Sequence, residues 1–252
     1  MSLPRFHAPG IGPGARVDLP EWSAHHAREV LRLRAGDLVR LFDGRGAEYE
    51  ATLDRVTRRE VHARIQAAVT PRPESPLSVL LALSPLKGDR MELVVQKATE
   101  LGVTGIQPVI TVRTDAAARP ALKGTRQERW DRVASGAAEQ CGRAVVPEIH
   151  ATLALDQLIA RPFPGRRLLL LETGEAPPLT AMSALPLREV LLLVGPAGGF
   201  EPAEVSRLVT AGFAAVSLGP RILRSETAAV AAVAVAQALW GDLGGHPPLA
   251  RS

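Results

Sequence analysis

The stretch GPAGGFEPAEV (residues 195–205), followed by LGPRILRSETAAVAAVAVAQALW (218–240), decides how the rest of the chain is read. Each glycine-bearing turn stands at the end of an apolar run: EVLLLV (189–194) before the first and AAVS (214–217) before the second. A third run, LLLL (168–171), ends in Glu172-Thr173-Gly174. Continuous apolar runs suit strands covered on both faces. A helical segment follows each of the first two turns: EPAEVSRLVTAG (201–212), with Pro202 suited to a first helical turn, and SETAAVAAVAVAQALW (225–240). Strands alternating with helices predict a parallel α/β sheet, and such sheets bind ligands in crevices at the carboxyl ends of their strands. Glycine lets backbone approach a ligand closely, and a following helix presents free N–H groups to it. An adenosine would fit such a place. GPAGG by itself is equally what a tight strand-to-helix turn requires.

Upstream, LSVLLAL (77–83) and VTGIQPVIT (103–111) are further strand candidates. Between them DRMELVVQKATELG (89–102) puts Met91, Val94, Val95, Ala98 and Leu101 on one helical face, with Gly102 placed to end it. Residues 125–141 predict an arginine-rich helix and 153–160 a shorter one. Before residue 70 the pattern differs. Residues 20–34 predict a helix, with Trp22, His26, Val30 and Leu33 at helical spacing; DLVRLFDG, AEYEATLDRV and EVHARIQAAV then alternate as short strands. TPRPESP (70–76), with three prolines, reads as a linker. The division expected is a small β-barrel at 1–70, a linker at 71–76 and an α/β domain at 77–252.

With 252 residues, 46% hydrophobic and 22% charged, the chain has an ordinary globular composition and can build a core without disulfides or metal. Cys141 is its single cysteine, which excludes an intrachain disulfide framework and a zinc site of paired thiolates; no histidine pair has metal-ligand spacing. No apolar run reaches the ~18 residues that span a bilayer, and the amino terminus has no export signal, so a cytoplasmic protein is expected. The net charge of +4 comes with only Lys87, Lys97 and Lys123 among 30 basic residues. Arginine suits phosphate recognition, so nucleic acid is permitted, although codon bias or a warm habitat would also enrich arginine. There is no G-x-x-x-x-G-K-[ST] and no early G-x-G-x-x-G, which excludes a phosphate-cradling hydrolase and an ordinary dinucleotide-binding dehydrogenase. The last helix is apolar nearly all round and too short to cross a membrane, so it must be buried. A second copy across a two-fold axis would bury it; its own domain could do so as well.

These motifs together resemble the bacterial 16S rRNA uridine-N3 methyltransferases of the RsmE type, in the SPOUT superfamily. KGDRMELVVQKATELGV (87–103) and AAEQCGR (137–143) carry the resemblance with the late pair; PRF (4–6), HHAREVLRLRAGD (25–37) and LFDGRG (41–46) extend it over essentially the whole chain. The resemblance implies a PUA-like β-barrel followed by a parallel-sheet α/β SPOUT domain with a carboxyl-terminal trefoil knot. It further implies S-adenosylmethionine as cofactor, a homodimer, and the 16S rRNA of the small ribosomal subunit as partner. By match of motif the cofactor contacts would be Leu171, Glu172 and Thr173, then Gly195, Pro196, Gly198 and Gly199. Leu218, Gly219, Ile222, Leu223, Arg224 and Thr227 would complete them. The family usually carries glutamate in the middle of GPEGG, where this chain has Ala197. Backbone contacts need no side chain there.

Uracil N3 holds a proton near neutral pH, so the site must orient the base and stabilise negative charge spreading onto its carbonyls. Arg224 is the candidate for that charge and Glu139 the nearest candidate for a general base, although water or hydroxide could equally take the proton. Arg5, Arg28, Arg32, Arg34, Arg113, Lys123, Arg126, Arg129, Arg132 and Arg143 are candidate RNA contacts. An RNA-binding assembly factor without catalysis, or a related enzyme that methylates another RNA position, are the alternatives.

Overall fold

The computed structural model describes residues 3–115, 125–172, 176–184 and 186–244. The chain divides into two compact units, Met1–Glu74 with Ser135–Val146, and Ser75–Ala134 with Pro147–Ser252. The sequence assigns all of 77–252 to one domain; the structure gives residues 135–146 to the first unit. The reason is packing: Ala138, Ala144 and Val146 cluster on Phe42, and Gly46 donates its N–H to the Ala144 carbonyl.

In the first unit the strands are β1 (Arg5–His7), β2 (Arg16–Asp18), β3 (Leu38–Phe42), β4 (Glu48–Val56) and β5 (Val61–Val69). They form one sheet in the order β1-β3-β4-β5-β2, antiparallel except for the β1–β3 pair. Alternate residues (Val39 and Leu41, Ala51 and Leu53, Val61, Ala63 and Ile65) fill its core, as a period of two requires. At the β3–β4 turn Asp43 accepts the N–H groups of Arg45 and Ala47, with Gly44 at φ +77° taking the left-handed bend. The helix expected over 20–34 is shorter. It runs as α1 (Glu21–His25), widens into a π turn over His26–Val30 and stops, and Arg32 adopts φ +55°.

The second unit is built on a parallel sheet. Its strands are β6 (Ser78–Leu83), β7 (Gly105–Ile110), β8 (Glu148–Ile149), β10 (Arg166–Leu170), β11 (Glu189–Val194) and β12 (Ala214–Val216), in the order β12-β10-β11-β6-β7-β8, with β9 (Leu153–Ala154) beside β7. Helices α2 (Arg90–Glu100), α4 (Leu155–Ala160), α5 (Pro202–Thr210) and α6 (Ser225–Trp240) belong to this unit, while α3 (Thr125–Cys141) begins in it and ends in the first. The registers Leu83↔Val194, Val194↔Leu170 and Leu170↔Val216 end four strands at one level. The turns that follow them therefore leave the sheet along one edge.

Helix α6 takes one of the two burials that its composition allows. Its face of Ala229, Ala232, Val233, Ala236 and Gln237 is buried within its own unit, Val233 completely. Burial in its own domain thus accounts for that face, while Val230, Ala231, Ala234 and Val235 form a flank that is only half-buried. Gln237, at the buried end, accepts the Ser75 hydroxyl and donates to the Gly102 carbonyl, so its amide is satisfied.

Candidate functional site

A cavity of about 530 Å³ opens at the carboxyl edge of the parallel sheet. That volume lies in the ordinary range for a small-molecule site. Three turns converge on it. Leu170, Leu171 and Glu172 come from the end of β10; Val194, Gly195, Pro196, Gly198, Gly199 and Phe200 come from the end of β11; Leu218, Gly219, Arg221 and Leu223 follow β12. The first turns of α5 and α6 close it with Pro202, Val205, Ser206, Ser225 and Ala228. The wall mixes apolar side chains with three charged ones: Glu172, Arg113 and Arg221.

The glycines have specific reasons. A Cβ on Gly195 would stand 2.9 Å from the Phe200 ring, so any other residue would push that ring out of place. Gly199 sits at φ +66° and Gly219 at φ +99°, in the left-handed region that glycine occupies without strain. At Gly219 a Cβ would meet nothing within 4 Å: the space in front of it is open to a ligand.

Of the expected cofactor residues, Leu171, Glu172, Gly195, Pro196, Gly198, Gly199, Leu218, Gly219 and Leu223 line this one cavity. Thr173 lies outside the described residues. Ile222, Arg224 and Thr227 are exposed and do not line the wall. Arg224 immediately precedes α6, flanked in sequence by the lining residues Leu223 and Ser225, and makes no ion pair among the described residues; Glu226 is 3.9 Å from Arg90 instead.

Glu139 is placed in the first unit. Its carboxylate accepts the His7 N–H at 2.7 Å and the Ser23 hydroxyl at 3.4 Å. Burial pushes its pKa up to about 7, against the opposing pull of those two hydrogen bonds and of the Arg5 charge. A carboxylate so held is a structural tie of its own unit.

The expected RNA contacts separate sharply. Arg5 is consumed inside the first unit: it grips both Glu48 oxygens, at 3.0 and 3.2 Å, and donates to the carbonyls of Ala138, Glu139 and Arg143. Arg143 is buried against Glu74 at 2.6 Å. Neither presents its charge to a polyanion, which corrects their assignment as RNA contacts. Arg28 is half-buried, its Nε 3.8 Å from Glu29. Arg32, Arg34, Arg126, Arg129 and Arg132 are exposed, although Arg129 is paired with Glu92 at 2.8 Å. Lys123 lies outside the described residues.

Arg113, expected among the RNA contacts, is exposed and stands at the cavity. It lines the cavity and donates from Nη1 to the Gly198 carbonyl at 2.8 Å. The loop that carries it is fixed on two sides. Ser84, Thr111 and Thr114 form a buried hydroxyl cluster, and the buried Glu204 accepts the N–H groups of both Val112 and Glu201. The signal was available: β7 is another strand of the same sheet, and its carboxyl end leads directly to Arg113.

Comparison with known proteins gives each unit a domain match, with residues 135–146 falling inside that of the second unit. Residues 73–237 match the RNA methyltransferase domain family, and residues 22–66 the RNA methyltransferase PUA domain. The chain is 36% identical over 232 residues to ribosomal RNA small subunit methyltransferase E of a Synechocystis species, covering 89% of this chain and 74% of that protein. With the Bacillus subtilis enzyme of the same name it shares 33% over 211 residues, 81% of this chain and 82% of the relative. A Legionella pneumophila methyltransferase solved with the cofactor SAM superposes at a TM-score of 0.89 with 36% identity, covering 96% of this chain and all (100%) of the other. Ribosomal RNA small subunit methyltransferase E of Neisseria gonorrhoeae, bound to S-adenosyl methionine, gives 0.86 with 37% identity, over 96% of this chain and 99% of that one. Two-unit architecture, domain matches and near full-length similarity lead to one conclusion: the chain belongs to the ribosomal RNA small subunit methyltransferase E family, an α/β SPOUT methyltransferase domain joined to a PUA domain.

Proposed function

We infer that this chain transfers the methyl group of S-adenosylmethionine to N3 of a uridine in the 16S rRNA of the small ribosomal subunit. The observation that carries the inference is the convergence of three turns on one cavity, in a chain 37% identical to a relative solved with that cofactor. The residues fit the group. Gly198, Gly199 and Gly219 leave room for close approach, Leu170, Leu171, Val194, Leu218 and Ala228 offer an apolar surface for a flat base, and Glu172 offers an acceptor for hydroxyl or ammonium donors.

The cofactor supplies an electrophilic methyl group on a cationic sulfur. The chain supplies position and charge. Pro196, Gly198, Gly199, Phe200 and the first turns of α5 and α6 wall the cavity on several sides, which limits the water that can reach a methyl group held there. Arg224, exposed beside the lining residues Leu223 and Ser225, is proposed to hold the negative charge that develops on the uracil carbonyls. Its guanidinium stays protonated and therefore donates hydrogen bonds without taking the N3 proton.

RNA is proposed to lie on Arg32 and Arg34 of the PUA unit and on Arg126 and Arg132 of α3, the exposed cations of the candidate set without a described carboxylate partner. The half-buried flank of α6 and the exposed Ile222 would seat a second copy, giving a homodimer. The proposed knot is supported by Ser217, which exchanges backbone hydrogen bonds with Pro177 and Leu179, so that the chain leaves β12 alongside the segment that follows β10. Among the described residues no helix is long and apolar enough to cross a membrane, and a ribosomal substrate points to the cytoplasm. The test is methyl transfer from isotopically labelled cofactor to unmodified small subunits, followed by mass spectrometry of the nucleosides. Label in N3-methyluridine is expected. Label in a ribose or another base would make the chain a different RNA methyltransferase, and RNA binding without label would make it an assembly factor.

A further inference from the structure

The Gly198–Gly199 pair is flanked by opposite charges. A Cβ on Gly198 would stand 3.5 Å from Cδ of Arg113, and a Cβ on Gly199 would stand 3.8 Å from Oε1 of Glu172. The two glycine Cα atoms are about 3.8 Å apart along the chain. Arg113 and Glu172 both line the cavity, and no ion pair joins them among the described residues. Arg113 is anchored by a single donor on the Gly198 carbonyl, with its Nε 3.8 Å from Glu201, so most of its five N–H donors remain for a ligand. A cation and an anion beside neighbouring glycines of one turn, on a wall whose one other charged lining residue is Arg221, are complementary to a zwitterion. An RNA backbone, uniformly negative, would be repelled by Glu172.

We propose that Arg113 and Glu172 clasp the amino-acid end of the cofactor, Arg113 binding its α-carboxylate and Glu172 its α-ammonium across the Gly198–Gly199 pair. This rests on reading the cavity as the S-adenosylmethionine site, and it moves Arg113 from the RNA surface to the cofactor. Glu204 then acts as a positioning residue, because its carboxylate ties the loop of Arg113 to the residue before α5.

Calorimetry with two ligands tests the assignment. S-adenosylhomocysteine keeps the zwitterion; 5′-methylthioadenosine has the same nucleoside and a thioether but no amino-acid end. Arg113→Gln and Glu172→Gln should each weaken S-adenosylhomocysteine by about tenfold to a hundredfold, the range expected for a charge-assisted hydrogen bond, and leave 5′-methylthioadenosine within about threefold. Unchanged S-adenosylhomocysteine affinity, or equal loss for both ligands, would overturn the proposal, as would weakened binding of RNA alone in Arg113→Gln. If the wild-type chain binds neither ligand, the reading of the cavity itself fails, and that result is visible before any variant is made.

Discussion

Glu139 carries a titration that belongs to the fold. Its pKa is raised from the ordinary 4.5 to about 7, chiefly by burial, so between those values the folded chain binds a proton that the unfolded chain has released. The stability margin this provides is full below pH 4.5 and is lost as pH rises through about 7. Two and a half pH units correspond to an upper bound on the order of 3 kcal/mol. His7, whose pKa burial lowers, works in the opposite sense, losing stability as pH falls. Comparing Glu139→Gln with wild type cancels that contribution: relative to wild type, the variant should gain stability between pH 5 and 8, read by urea titration at each pH. A difference independent of pH would remove Glu139 from this role. Arg5 makes a second prediction at the same scale. Its partner Glu48 is 3% exposed, so Arg5→Ala leaves a buried carboxylate with only the more distant Arg40, at 3.9 Å, and should cost about 3 kcal/mol in the same titration. Single residues were the least legible level of the sequence, because a buried cation is recognised by its partner. Glu48 and Glu74 lie 43 and 69 positions from Arg5 and Arg143.

Among the elements, the glycine turns were legible for a physical reason: a position that needs positive φ or close approach permits few residues, so Gly195 and Gly199 announce themselves. Gly195→Ala should displace the Phe200 ring and weaken cofactor binding at least tenfold while the melting temperature stays within a few degrees; unchanged affinity would show that the ring is free to yield. Helix α6 shows the opposite case. Its composition marks it as buried but carries no sign of which face meets what, since alanine and valine fill both. Val233→Asp places a charge in the core of the second unit and should prevent that unit from folding, measured by loss of cooperative melting. Ala234→Glu, on the half-buried flank, should leave the unit folded and convert a dimer to a monomer in sedimentation; a wild type already monomeric would contradict the proposed dimer. The π turn after α1 gave no signal either. HHAREVLRLR keeps a helical spacing of apolar residues past the point where the helix ends, and Val30 and Leu31 are left exposed.

For the whole molecule, the order of strands and helices was readable because buried parallel strands and amphipathic helices have different hydrophobic periods. The return of residues 135–146 to the first unit was not, because it rests on Phe42 and Arg5, distant in sequence. RNA affinity should fall linearly with the logarithm of salt concentration, and each of Arg32, Arg34, Arg126 and Arg132 changed to Ala should reduce the slope by about 0.7 if it meets a phosphate. Arg129→Ala should change it less, since Glu92 already neutralises that charge. The convergence of the three turns on one cofactor site is tested most directly by a crystal structure with S-adenosylhomocysteine. The nucleoside is expected between Leu171, the Gly195–Gly199 turn and Leu218–Gly219, with its amino-acid end between Arg113 and Glu172. A ligand bound anywhere else on the chain, or those turns found apart, would contradict it.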